Sequence, residues 1–414
     1  MSGERPIDGS GAGLPPVPAF ALGRIPRITF GAGAFTQVPA ITATHGSRVL
    51  LVTGGRSLAA SGHRDALLAG LGAAGLTHAG EVTVPDEPSP AVVDGAVALN
   101  RSADVDVVLA VGGGSVLDAG KAIAGLLRSG SSVVDHLEGL PGYRAYDGLP
   151  VPLVAVPTTA GTGSEATRNA VITERGPGGY KRSFRDERLV AADAVIDPEL
   201  LAGADPVRIA ANGMDATTQL LEAYVSTNAG PVTDALALAG LEAARDGLLA
   251  WHADPDGPRA AAARSRMAYA ALLSGICLAH AGLGGVHGLA SPLGARLPIP
   301  HGIACGTTLA GITAANVVAL EARAPASVAL GRYATLGRLL AGLPETTPAV
   351  EARAALVAEL RRWTAALAIP GLGLYGLDEA GIPEIVADAR GSSMKTNPVA
   401  LTDQELTEVL VAAL

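Results

Sequence analysis

The feature that most constrains the fold is a change of pattern near residue 205. Before it, apolar runs alternate with helical patterns; after it, strand signals stop. R-I-T-F (27–30), R-V-L-L-V-T-G-G (48–55), E-V-T-V-P (81–85), D-V-V-L-A-V-G-G-G-S (106–115), L-V-A-V-P-T-T (153–159) and A-A-D-A-V-I-D-P (191–198) read as strands and the turns that end them. Helical patterns cover 62–75 and 90–102, and another opens at the 112–115 glycines. Strands that are apolar throughout are buried on both faces, as in a parallel sheet covered by helices. The expected fold class is therefore an α/β N-terminal domain with a parallel sheet, followed by an all-α C-terminal domain. The expected divisions are a disordered tail over 1–19, the α/β domain over 20–204 and the helical domain over 205–414.

At 49% hydrophobic, 414 residues are ample for two cores. Only 3% of residues are aromatic, so those cores must be built from Ala, Val and Leu. The net charge of −9 argues against nucleic acid or an anionic membrane as partner. No run of eighteen apolar residues is free of charges and breakers, and no apolar leader opens the chain. No membrane span and a cytoplasmic location are therefore expected. Cys277 and Cys305 form no C-x-x-C pair, and the expectation is two buried free thiols.

In open parallel sheets ligands bind at the carboxyl ends of the strands, where two small-residue turns fall. G-G-G-S-V-L-D-A-G-K (112–121) follows a strand and opens a helix. Its glycines let backbone approach a pyrophosphate, and the helix N-terminus supplies N–H donors. P-T-T-A-G-T-G-S-E (157–165) adds a hydroxyl-lined turn suited to ribose and amide contacts. In T-G-G-R-S-L (53–58) no acidic residue awaits a ribose 2′-hydroxyl. Gly54 and Gly55 leave room there, and Arg56 with Ser57 suit a 2′-phosphate, which favours NADP(H) over NAD(H).

The C-terminal half holds a second constellation. Asp215 and Gln219 stand i, i+4 on one helix face. His287 and His301 lie fourteen residues apart, and prolines 292, 298 and 300 forbid one unbroken helix between them. A carboxylate and two imidazoles suit Fe(II) or Zn(II).

These motifs resemble the iron-containing (group III) alcohol dehydrogenase family over roughly 20–414. The resemblance rests on G-G-G-S-x-x-D-x-x-K, P-T-T-A-G-T-G-S-E, G-M-D-A-x-T, H-G-x-A-x-P-L-G-A with P-H-G, and T-N-P-V-A-L-T-D-Q-E-L. It implies a dinucleotide-binding domain, a helical metal and substrate domain, and hydride transfer between NAD(P)(H) and small alcohols or carbonyls. It also implies a homodimer. Gly113, Gly114, Ser115 and Asp118 match the pyrophosphate motif; Thr158, Thr159, Thr162, Asn169 and Lys181 match cofactor positions. Asp215, His287 and His301 match three of four metal ligands.

The departures are specific. Gln219 stands where the family has its fourth ligand, a histidine, and Ser291 replaces another histidine near the substrate. His280 falls seven residues before His287, on roughly the same helical face, from which it could approach the site. Three arrangements follow: a metal on Asp215, His287 and His301 with Gln219 or water fourth; His280 as substitute ligand or proton relay, with Ser291; or a metal-free site with a histidine polarising the carbonyl. Two other activities fit the same architecture. One is reduction of an anionic 2-oxo acid, as in maleylacetate reductases, with Arg168, Arg390 or Lys395 on the carboxylate. The other is a dehydroquinate-synthase-like lyase.

Overall fold

The computed structural model describes residues 17–55, 58, 61–176 and 179–414. Most of the 1–19 tail lies outside the described residues. Six strands form one sheet in the order β1 (Arg27–Phe30), β8 (Asp193–Ile196), β5 (Leu153–Pro157), β4 (Val107–Gly112), β2 (Arg48–Gly54), β3 (Thr77–Val84), every neighbouring pair parallel. Leu50, Val52, Val108 and Ala110 face one helical layer, while Val49, Leu51, Val107 and Leu109 face the other. Alternation along each strand thus buries both faces, which is why these runs contain no polar half. The helices of this half are α1 (Val38–Ala43), α2 (His63–Ala73), α3 (Pro90–Asn100) and α4 (Gly114–Leu126).

From residue 206 the described chain is helical: α5 (Pro206–Val225), α6 (Pro231–Ala253), α7 (Ala260–Ala281), α8 (Gly285–Arg296), α9 (His301–Arg323), α10 (Val328–Leu340), α11 (Ala349–Ala366), α12 (Ile382–Asp388) and α13 (Asp403–Val411). The switch has a local cause. Asp205 caps α5 by accepting from the Arg208 N–H at 2.9 Å, and Pro206 sits in the first turn, where no N–H is needed. The fold class is the expected one, a parallel α/β sheet followed by helices.

One described helix, α9, is long and apolar enough to cross a membrane, but 72% of its apolar window is buried inside the protein. Packing against α5, α8 and α11 accounts for that apolarity.

Three local features depart from the sequence reading. An antiparallel hairpin, β6 (Asn169–Glu174) and β7 (Tyr180–Arg185), follows the second turn. Its strands, N-A-V-I-T-E and Y-K-R-S-F-R, mix apolar residues with Asn, Thr, Lys, Arg and Ser, so no continuous apolar run marks the pair. Pro292 lies inside α8, and the break between His287 and His301 falls later, at Leu297–Pro300. The helix carrying His280 does not continue to His287: α7 ends at Gly282, with φ +73°, and α8 leaves at 101°. The shared helical face expected for His280 and His287 is therefore absent.

Candidate active site

A cleft of about 2140 Å³ runs between the carboxyl ends of the strands and the helices. It is lined by Gly54, Gly55, Gly113, Gly114, Ser115, Asp118, Thr158, Thr159, Thr162, Asn169 and Lys181 on one side. Asp215, Gln219, His280, His287, Ser291 and His301 line the other. Arg56 and Ser57 lie outside the described residues.

The two small-residue turns are built as one unit. The Thr158 N–H donates to the Gly112 carbonyl at 2.9 Å. A Cβ on Gly114 would stand 2.7 Å from Thr162 Oγ1, so glycine is what lets the second turn close on the start of α4. Asp118 accepts from Ser164 Oγ at 2.5 Å and from the Val171 N–H at 3.0 Å. Lys121 is fully buried beside it, 3.0 Å from Asp118, and donates to the Ser164 and Asn169 carbonyls and to Thr167 Oγ1. Burial lowers its pKa against the pull of Asp118. Asp118 and Lys121 thus fasten turn and hairpin to α4, and Gly113, Gly114 and Ser115 at the start of that helix line the cleft. Glu165, buried behind the turn, has its pKa pushed up to about 7 by burial, against its own backbone N–H and Lys121.

On α5, Asp215, Gln219 and Glu222 follow at i, i+4 and i+7, one inward stripe. The Glu222 carboxylate accepts from His287 Nδ1 at 2.7 Å and from the Val286 N–H at 2.6 Å. His287 Nε2 lies 3.3 Å from Asp215 Oδ1, and His301 Nε2 lies 3.8 Å from the same oxygen. Gln219 is committed at both ends: its amide donates to Asp215 at 3.1 Å and its carbonyl accepts from Ser274 Oγ at 2.9 Å.

Burial would raise the pKa of Asp215, but His301, His287 and Gln219 hold it below its ordinary value. Burial would lower that of His287, yet Cys305, Asp215 and Glu222 raise it well above. Burial brings His301 down to about 4, with Lys181 and His287 adding to it, so it is neutral at ordinary pH. Among the described residues neither Asp215 nor Glu222 is paired with Lys or Arg. Two buried carboxylates whose only ionisable basic partners among the described residues are imidazoles make a donor set with excess negative charge, and that set fits a divalent cation.

The structure separates the remaining candidates. Asp215, His287, His301 and Cys305 offer donor atoms within 4.8 Å of one another; His280 is not in that group. His280 donates from Nδ1 to the Ile276 carbonyl at 2.7 Å, leaving Nε2 as the acceptor of the neutral ring. Arg168 and Lys395 both line the cleft, Arg168 paired there with Glu187, while Arg390 pairs with Asp403. Lys181 donates to Glu87 at 2.5 Å. Sequence reasoning missed Glu222, Glu87 and Cys305. The i, i+7 spacing from Asp215 was a signal for Glu222, and the i, i+4 spacing from His301 was one for Cys305.

Comparison with known proteins places this architecture in a family. A family model described as iron-containing alcohol dehydrogenase matches residues 26–198, and one described as the C-terminal part of the Fe-containing alcohol dehydrogenase family matches 209–414. The chain is 33% identical to the long-chain-alcohol dehydrogenase 1 of Geobacillus thermodenitrificans over 80% of each chain. It is 30% identical to the NAD-dependent methanol dehydrogenase of Bacillus methanolicus over 94% of this chain and 98% of that one. A crystal structure of 1,3-propanediol oxidoreductase superposes with a TM-score of 0.85 at 29% identity, covering 96% of this chain and 100% of that one. The chain belongs to the iron-containing alcohol dehydrogenase family.

Proposed function

We propose that the cleft oxidises small alcohols, and reduces the matching aldehydes or ketones, with a nicotinamide dinucleotide across the glycine and threonine turns and a divalent metal at Asp215, His287 and His301. Membership of the family makes the chain an oxidoreductase acting on CH–OH groups with small-molecule alcohol or carbonyl substrates. The observation that carries the site assignment is that one cleft joins the paired turns to the buried carboxylate–imidazole cluster.

The chain's own residues divide the work. The N-terminal N–H groups of α4, with Gly113, Gly114 and Ser115, bind the pyrophosphate. Thr158, Thr159 and Thr162 offer hydroxyls along the cofactor, and Asn169 and Lys181 reach it from the hairpin. Asp118 positions that hairpin. A bound nicotinamide supplies or accepts the hydride. A divalent metal supplies Lewis-acid polarisation of the substrate oxygen. Glu222 orients His287, and Gln219 orients Asp215. His280 Nε2 accepts or returns the hydroxyl proton, and Ser291 lines the same cleft.

The room at Gly54 and Gly55 supports NADP(H); the name of the Bacillus methanolicus relative supports NAD(H). The ratio of kcat/KM for the two nucleotides decides between them. A homodimer is also proposed, supported by half-exposed Ile28 and Phe30 on edge strand β1, and sedimentation tests it.

The test of the whole reading is turnover of NADH and NADPH on a panel of aldehydes and 2-oxo acids, before and after chelation. Turnover that chelation removes and Zn(II) or Fe(II) restores is expected. No turnover with either nucleotide overturns the reading, and turnover untouched by chelation removes the metal from it.

A further inference from the structure

The metal reading leaves one ligand position open, since Gln219 has both ends committed to Asp215 and Ser274. A fourth donor comes from a different helix. Cys305 Sγ lies 3.9 Å from Asp215 Oδ1, 3.8 Å from His287 Nε2 and 3.9 Å from His301 Nε2. With the 3.3 and 3.8 Å separations of Asp215 from the two imidazoles, five edges of a four-cornered cluster span 3.3–3.9 Å. A tetrahedron with metal–N and metal–O bonds near 2.0–2.1 Å and a metal–S bond near 2.3 Å has edges of roughly 3.3–3.6 Å. These five edges need to contract by only a few tenths of an ångström, and the sixth, between the two imidazoles, lies within 4.8 Å.

The fold explains why the thiol is there. His301 and Cys305 are i, i+4 on α9 and therefore share a face. A Cβ on Gly302 would stand 1.9 Å from the Ala211 carbonyl, and one on Gly306 3.2 Å from Met214 Cβ. These two glycines let the backbone of α9 lie against α5, one turn from Asp215. Cys305 sits between them, fully buried and unpaired with the other cysteine.

We propose that Cys305 is the fourth protein ligand of the metal, so that this chain holds its cation by one carboxylate, two imidazoles and one thiolate. The proposal rests on the metal reading above. On binding, the Sγ–H bond gives its proton to solvent, the sulfur lone pair forms the bond to the cation, and no electrons are transferred. A thiolate softens the donor set and biases the site toward Zn(II) over Fe(II).

The test uses the full chain, stripped by a chelator and titrated anaerobically with Co(II). A near-ultraviolet thiolate-to-cobalt charge-transfer band is expected, saturating near one cobalt per chain. The band disappears in Cys305→Ser and persists in Cys277→Ala, whose thiol lies elsewhere beside the Thr233 carbonyl. Zn(II) affinity, from competition with a chromophoric chelator, falls roughly tenfold or more in Cys305→Ser. Cobalt bound near one per chain without the band overturns Cys305 as a ligand and leaves the metal site standing. No cobalt bound by the wild-type chain overturns both. A band that persists in Cys305→Ser also overturns the assignment.

Discussion

Glu222 accepts the Nδ1 proton of His287 at 2.7 Å, so Nε2 is the ring nitrogen that faces Asp215, 3.3 Å away. A carboxylate behind a ligating imidazole fixes its tautomer and raises its basicity. Replacing Glu222 by Gln lets an amide present either end to the ring. Metal affinity in Glu222→Gln is expected to fall about ten- to a hundredfold. Chelator competition checks it; unchanged affinity would show that His287 needs no such support.

Gln219 faces Asp215 with its amide and Ser274 with its carbonyl. In Gln219→Ala both buried partners lose a hydrogen bond, which costs about 1–3 kcal/mol of stability. The metal content after dialysis is expected to stay at the wild-type level. Elemental analysis beside denaturant unfolding separates the two effects, and loss of the metal would make Gln219 itself a ligand.

Gly163, with φ +60°, touches α7 backbone to backbone: a Cβ on Gly275 would lie 2.0 Å from the Gly163 carbonyl. Helix propensity alone favours alanine over glycine by about 1 kcal/mol. The contact reverses that sign, and Gly275→Ala is expected to destabilise the protein by roughly 1–3 kcal/mol. Nucleotide affinity should fall with it, because Thr162 is next to Gly163. A denaturant midpoint and a nucleotide titration check both.

Glu165 titrates near 7 in the folded protein against an ordinary 4.5. Between those values the unfolded chain ionises while the folded chain keeps its proton, so this group removes stability as pH rises from 4.5 to 7. The loss amounts to about 3 kcal/mol and is complete above that window. Glu165→Gln is expected to abolish this contribution, so its stability relative to wild type should climb across the window. Unfolding at a series of pH values tests this, and parallel curves would rule it out.

Lys395 and Arg168 both line the cleft, but Arg168 is paired with Glu187 and Arg390 with Asp403. If the chain takes an acidic carbonyl, Lys395→Ala should raise KM for that substrate by roughly tenfold or more and leave a neutral aldehyde unaffected. Equal changes for both substrates would argue against a carboxylate contact.

The six parallel strands and the two small-residue turns that end them were legible in the sequence because a strand buried on both faces must be apolar throughout. The hairpin of Asn169–Glu174 and Tyr180–Arg185 was not, since one face of it lines the cleft and its runs mix polar with apolar residues. Asp215, His287 and His301 were readable as candidates by residue type and spacing. Their convergence was not, because they come from α5, α8 and α9, whose crossing is set by close packing at Gly302 and Gly306. The sequence by itself determined the fold class, the small-residue turns and the residue types at Asp215, His287 and His301, all local properties of period and composition. Only the tertiary structure decided that His280 leaves the helix line of His287, that Gln219 turns to Ser274, and that Cys305 joins the cluster, because each depends on the angle and distance between helices far apart in the chain.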